Sequence, residues 1–70
     1  MSKTIVDARG LSCPEPVLLA QNALKQYANQ VFTVAVSSAT ARDNVSELLQ
    51  KKGKTIDVEE TGGEWFITAT

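Results

Sequence analysis

Apolar residues follow two different periods along this chain. Over residues 31–37, Phe32, Val34 and Val36 alternate with Thr33 and Ala35, and β-branched or aromatic types dominate, which predicts a strand. Over residues 17–28 the step lengthens to three and four. Val17, Ala20, Leu24, Tyr27 and Ala28 line one side with Leu18 flanking, while Gln21, Asn22, Lys25 and Gln26 fill the other, as on an amphipathic helix. A second helix carries Ala41, Val45, Leu48 and Leu49 as its buried stripe. Its start reads as a capping box, with Thr40 as the cap and Asp43 reaching back, and Gly53 is its natural stop. Residues 4–8 form a short apolar strand centred on Ile5 and Val6. Residues 54–60 alternate, with Ile56 and Val58 on one side. Thr61-Gly62-Gly63 then reads as a hairpin turn, and residues 64–70 as the closing strand.

The order is therefore β-α-β-α-β-β. It predicts an α+β fold, a two-layer α/β sandwich in which two helices cover one face of a mixed four-stranded sheet. Right-handed crossovers put both helices on the same side when the first three strands run in one direction; the last strand then returns antiparallel. The other sheet face is left open, and is the expected surface for meeting partners. Trp65 and Phe66 should point to opposite faces of the last strand.

Seventy residues are expected to make one small domain, 1–70, without repeats or linkers. Composition narrows the function. The chain is 43% hydrophobic and 21% charged, with a net charge of −1, which gives no electrostatic footprint for nucleic acid and no polybasic membrane patch. No apolar run reaches the length of a membrane span. With one cysteine and no histidine, an internal disulfide is impossible and a dedicated metal site is not expected; no cofactor is called for. The cytoplasm, where a free thiol stays reduced, is the expected location.

The candidate chemistry sits in Asp7-Ala8-Arg9-Gly10-Leu11-Ser12-Cys13-Pro14-Glu15-Pro16. This stretch reads as a strand end, a glycine turn and a helix start. Gly10 is expected to supply a backbone angle that other residues resist. Pro14 suits the first helical position, which makes Cys13 the N-cap. Unpaired N–H groups and the positive end of the dipole then face the sulfur and favour the thiolate, the form that is nucleophilic. Pro14 and Pro16 lack N–H groups, so Glu15 N–H and Val17 N–H are the local donors. Arg9 would further favour the thiolate and Glu15 oppose it. Asp7 reads as a strand-end residue bonding the N–H groups of the turn. A buried structural role for Cys13 is the bland alternative, and its setting between a glycine turn and Pro14-Glu15-Pro16 argues against it.

Residues 7–18 resemble the Cys-Pro-x-Pro signature of the TusA/SirA/YedF family of sulfur carriers, and the resemblance extends over essentially the whole chain. It implies that Cys13 accepts sulfane sulfur as a persulfide and passes it to another protein, acting as a sulfurtransferase by relay. The implied partners are a sulfur-donor protein (a cysteine desulfurase or a rhodanese) and a sulfur-acceptor protein, serving tRNA thiolation, cofactor synthesis or other sulfur or selenium metabolism. Residues 41–45 and the Thr61-Gly62-Gly63 turn resemble the YedF-like branch more than the tRNA-relay prototype. The chain is expected to be a monomer, with a Cys13–Cys13 disulfide as the origin of any dimer formed without reductant. The competing reading is an interaction or regulatory module of the same fold that acts without transfer.

Overall fold

A computed structural model describes residues 4–11, 15–27 and 30–70. The elements are β1 (Thr4–Asp7), α1 (Glu15–Gln26), β2 (Phe32–Val36), α2 (Ala39–Lys51), β3 (Ile56–Thr61) and β4 (Glu64–Ala69). They form the expected α+β architecture, a mixed sheet of order β1-β2-β4-β3 with two helices. β1 pairs parallel with β2, placing Ile5 beside Thr33 and Asp7 beside Ala35. β4 pairs antiparallel with both β2 and β3. β1, β2 and β3 thus share one direction, and β4 fills the gap that the β2-α2-β3 crossover leaves open.

The insertion of β4 depends on a tight hairpin. Thr61 pairs with Glu64 across a two-residue loop, and Gly62 and Gly63 hold φ of 59° and 84°. A type I′ turn needs positive φ at both central positions, and its twist matches that of the strands. A side chain at either position would strain the turn.

One core lies between the layers. Val34, Val36 and Ile67 from the sheet meet Val45 and Leu49 from α2, all fully buried, with Ala20 and Ala23 of α1 beside them. α2 buries Ala41, Val45 and Leu49 at steps of four, with Leu48 partly buried. The inward line of α1 differs from expectation: it is Pro16, Ala20 and Ala23, flanked by the half-buried Val17, Leu24 and Tyr27. Two alanines at the centre let the helix approach closely, and the larger residues close the sides. Leu18 is half exposed, and Ala28 lies outside the described residues.

The capping box at 40–43 is not formed. Ser38 is the N-cap of α2, with φ −138° and ψ 150°, and its Oγ accepts the Ala41 N–H at 3.1 Å. Thr40 thereby falls inside the first turn, and Asp43 instead pairs with the Arg42 guanidinium at 2.9 Å. Gly53 does stop the helix. At φ +83° its N–H reaches the Gln50 carbonyl, and the Lys54 N–H reaches that of Leu49, each at 3.0 Å, the paired bonds of a Schellman motif.

Every position of β2 is buried, so the face away from the helices is closed along its midline. Thr33 and Ala35 are short, with the larger Ile5 and Asp7 of β1 on one side and Phe66 of β4 on the other. Thr33 and Thr68 share a hydrogen bond between hydroxyls at 3.0 Å. Trp65 and Phe66 do divide between the faces, with Trp65 packed on the core and Phe66 half-buried opposite. The cap assignment has a direct test by urea denaturation. Ser38→Ala should cost about 1 kcal/mol, and Thr40→Ala should stay within about 0.5 kcal/mol of wild type; the reverse ranking would restore Thr40 as the cap.

Candidate functional site

Because β1 and β2 are parallel and each is followed by a helix, their ends and the starts of both helices gather at one end of the molecule. The turn that leaves β1 is tied there at three points. Ala8, almost fully buried, donates its N–H to the Ala35 carbonyl at 2.8 Å and extends the ladder by one residue. Gly10 takes φ +77° and donates its N–H to Ser37 Oγ at 2.8 Å, just past the end of β2. Arg9 provides the third tie.

The Arg9 guanidinium grips Asp7 with two bonds, Nε to Oδ1 at 2.9 Å and Nη2 to Oδ2 at 3.1 Å. The Arg9 backbone N–H adds a bond to the same Oδ1 at 3.1 Å, as expected of a strand-end aspartate. A third guanidinium nitrogen, Nη1, reaches Glu64 Oε1 at 3.2 Å, at the start of β4. Those bonds from Arg9 hold the Asp7 carboxyl well below its ordinary value of 3.8, at about 2. The same partners, Asp7 first and Glu64 second, push the Arg9 guanidinium further up from an already high value. Arg9 therefore bonds two carboxylates that pin the turn, and its expected support of a thiolate concerns Cys13, which lies outside the described residues.

Among the other predicted residues, Glu15 is the first residue of α1 and is exposed. Pro16 is fully buried at the head of the inward line of α1, so it anchors the helix in the core as well as lacking an N–H. The central residue, Cys13, and its neighbour Pro14 lie outside the described residues. The N-cap position of Cys13, Pro14 at the first helical position and the donors to the sulfur are therefore expectations from sequence. What is described brackets them: Leu11 and Glu15 flank the trio 12–14 at the end where both helices begin.

Three residues that hold this end were not singled out from sequence. Ser37 ties Gly10, Ser38 caps α2, and Glu64 completes the Arg9 bridge. Two serines directly after a strand are a recognisable helix-start signal. Glu64 is 55 residues from Arg9, and no local pattern announces that contact. Nearby, Arg42 lays its guanidinium over the Trp65 ring, 5.2 Å from the centroid, tying α2 to β4. Among the described residues no group of three or more acidic, cysteine or histidine side chains is arranged to hold a metal ion. No described helix is long and apolar enough to cross a membrane.

Comparison with known proteins gives a consistent picture. The family model described as "Sulfurtransferase TusA" matches residues 4–70. A solved structure of a SirA-like protein from Desulfitobacterium hafniense superposes with a TM-score of 0.86 at 29% identity, covering 94% of this chain and 93% of that one. No curated protein matches significantly.

The Arg9 clamp makes a pH prediction. A carboxyl whose folded value is depressed adds stability that is complete above its unfolded value of 3.8 and is lost as pH falls through about 2. An NMR titration of the Asp7 carboxyl should find its midpoint near 2 and see it return toward 3.8 in Arg9→Ala. An unchanged midpoint in the variant would remove Arg9 as the cause.

Proposed function

We propose that this chain, which belongs to the sulfurtransferase TusA family, holds the sulfur it carries on Cys13 as a persulfide. Sulfur carriage and relay between proteins are properties of the family as a whole. What supports Cys13 as the carrying atom is that the family match spans residues 4–70 and Cys13 is the chain's sole cysteine. A sulfur carrier needs a thiol, and among the twenty ordinary side chains only cysteine offers one.

The step balances without an external oxidant or reductant. The Cys13 thiolate attacks the outer sulfur of a donor persulfide; the donor's sulfur–sulfur bond breaks, and the donor thiolate leaves with the bonding pair. Cys13 then bears the sulfane sulfur, and the same exchange run toward an acceptor thiol delivers it. Each direction needs a thiolate, which a helix N-terminus favours. The turn of 8–11, tied by Ala35, Ser37 and Glu64, offers a fixed base on one side of Cys13, and the buried Pro16 offers one on the other. Fixed flanks reduce the ordering cost when a partner docks.

On this reading residues 1–70 act as one cytoplasmic carrier domain, receiving sulfur from a desulfurase-type or rhodanese-type donor protein and passing it to an acceptor protein. Its Cys-Pro-x-Pro stretch, Cys13 to Pro16, is the business end. The YedF-like character of residues 41–45 and of the 61–63 turn favours an acceptor in sulfur or selenium metabolism over the tRNA-thiolation relay.

Intact-mass spectrometry tests the proposal. Protein incubated with a cysteine desulfurase, pyridoxal phosphate and L-cysteine should gain the mass of one sulfur atom, lose it to dithiothreitol, and gain nothing as Cys13→Ser. Absence of the adduct with that donor and with a rhodanese plus thiosulfate would turn the reading to a binding module.

A further inference from the structure

At the opposite end of the helix layer, the last turns of α1 and the chain leaving α2 enclose a groove of about 600 Å³. Gln21, Leu24 and Lys25 form one wall, and Lys52 and Lys54 the other. Lys25 lies in the last turn of α1 and Lys52 is the C-cap of α2, so each also complements a helix dipole. Lys54 belongs to neither helix. The Schellman bonds through Gly53 and Lys54 fix the backbone that carries it. Three lysines thus line one groove, and among the described residues no carboxylate does.

The carboxylates are elsewhere. Asp7, Asp57, Glu59 and Glu64 all belong to the sheet face away from the helices, by their pairing with Ala35, Thr68, Phe66 and Thr61. Of the other acidic residues, Glu15, Asp43 and Glu47 lie on the helices and Glu60 pairs with Trp65, and none of them is among the residues that line the groove. Lys25 of α1 and Lys52 at the end of α2 lie on the two walls, so an anionic occupant of the groove is attracted by both.

We infer that this groove docks an acidic segment of a partner protein, and that the helix layer is the docking side of the carrier. Leu24 and the aliphatic stems of the lysines suit a peptide with mixed acidic and apolar side chains better than a bare anion. Distance also fits. Gln21 is six residues along α1 from Glu15, about 9 Å, and Lys25 ten residues, about 15 Å. A partner footprint of about 800 Å² spans from the groove to the Cys13 end. The inference rests on the relay reading for its biological sense, but the binding it asserts is measurable apart from sulfur transfer.

The test uses the full chain and a fluorescein-labelled peptide of alternating glutamate pairs and leucines, followed by anisotropy at low salt. Saturable binding is expected, weakened about ten-fold in Lys25→Glu/Lys52→Glu, as for two exposed ion pairs turned into repulsions. Lys25→Gln/Lys52→Gln should give a smaller loss, and added salt should weaken wild-type binding. Circular dichroism confirms that the variants fold. No saturable binding, equal affinity in the charge-reversed variant, or equal binding of the lysine counterpart peptide would each overturn the inference. Displacement by equimolar tripolyphosphate would overturn it in favour of a small-anion site. Loading of Cys13 from inorganic polysulfide should be the same in wild type and both variants. Failure of that loading in wild type would count against the carrier reading and leave the groove result standing.

Discussion

The placement of β4 between β2 and β3 is the constraint on which the rest depends. It makes β2 an interior strand, buried at all five positions, and gives it partners on both edges. It also lets β1, β2 and β3 run in one direction, so that both crossover helices lie on one side and start at one end. The turn type that allows this insertion is set by two adjacent glycines, 62 and 63, at the far end of the sequence from the cysteine. The same insertion brings Glu64 within reach of Arg9, so the hairpin and the turn after β1 are held by one guanidinium.

A chain of seventy residues has few side chains with which to fix the turn after β1. It does so with backbone donors and short polar acceptors. Ala8 continues the ladder, Ser37 takes the Gly10 N–H, and Asp7 closes on Arg9. The next residue, Ser38, caps α2, so one pair of serines serves both the turn and the second helix. These bonds are individually modest, and they act on a segment whose ends are already fixed by β1 and by the buried Pro16.

Local patterns in the sequence carried the element order, the stop of α2 and the hairpin, because each depends on residues within a few positions of one another. Gly53 and Gly62-Gly63 adopt the positive φ that their settings called for. Longer-range features were less legible. The cap of α2 was misplaced on Thr40 because Thr40 and Asp43 imitate a capping box, while the deciding fact, that the helix already begins at Ala39, depends on where β2 ends. The inward line of α1 was displaced because alanines at 20 and 23 count for little in a hydrophobicity pattern but allow the closest approach. The partnership of Arg9 with Glu64 was not legible because Glu64 is distant in sequence and only the sheet order brings it near. Cys13 was expected from the sequence and lies outside the described residues, between Leu11 and Glu15 in the chain.

The most direct test of that account asks whether a loaded chain carries sulfane sulfur. Protein loaded by a donor and then freed of it should be treated with cyanide, which accepts sulfane sulfur as thiocyanate. The account predicts one thiocyanate per loaded chain, with the thiol of Cys13 regenerated. No thiocyanate from the loaded protein, or the same yield from Cys13→Ala taken through the same loading, would contradict it.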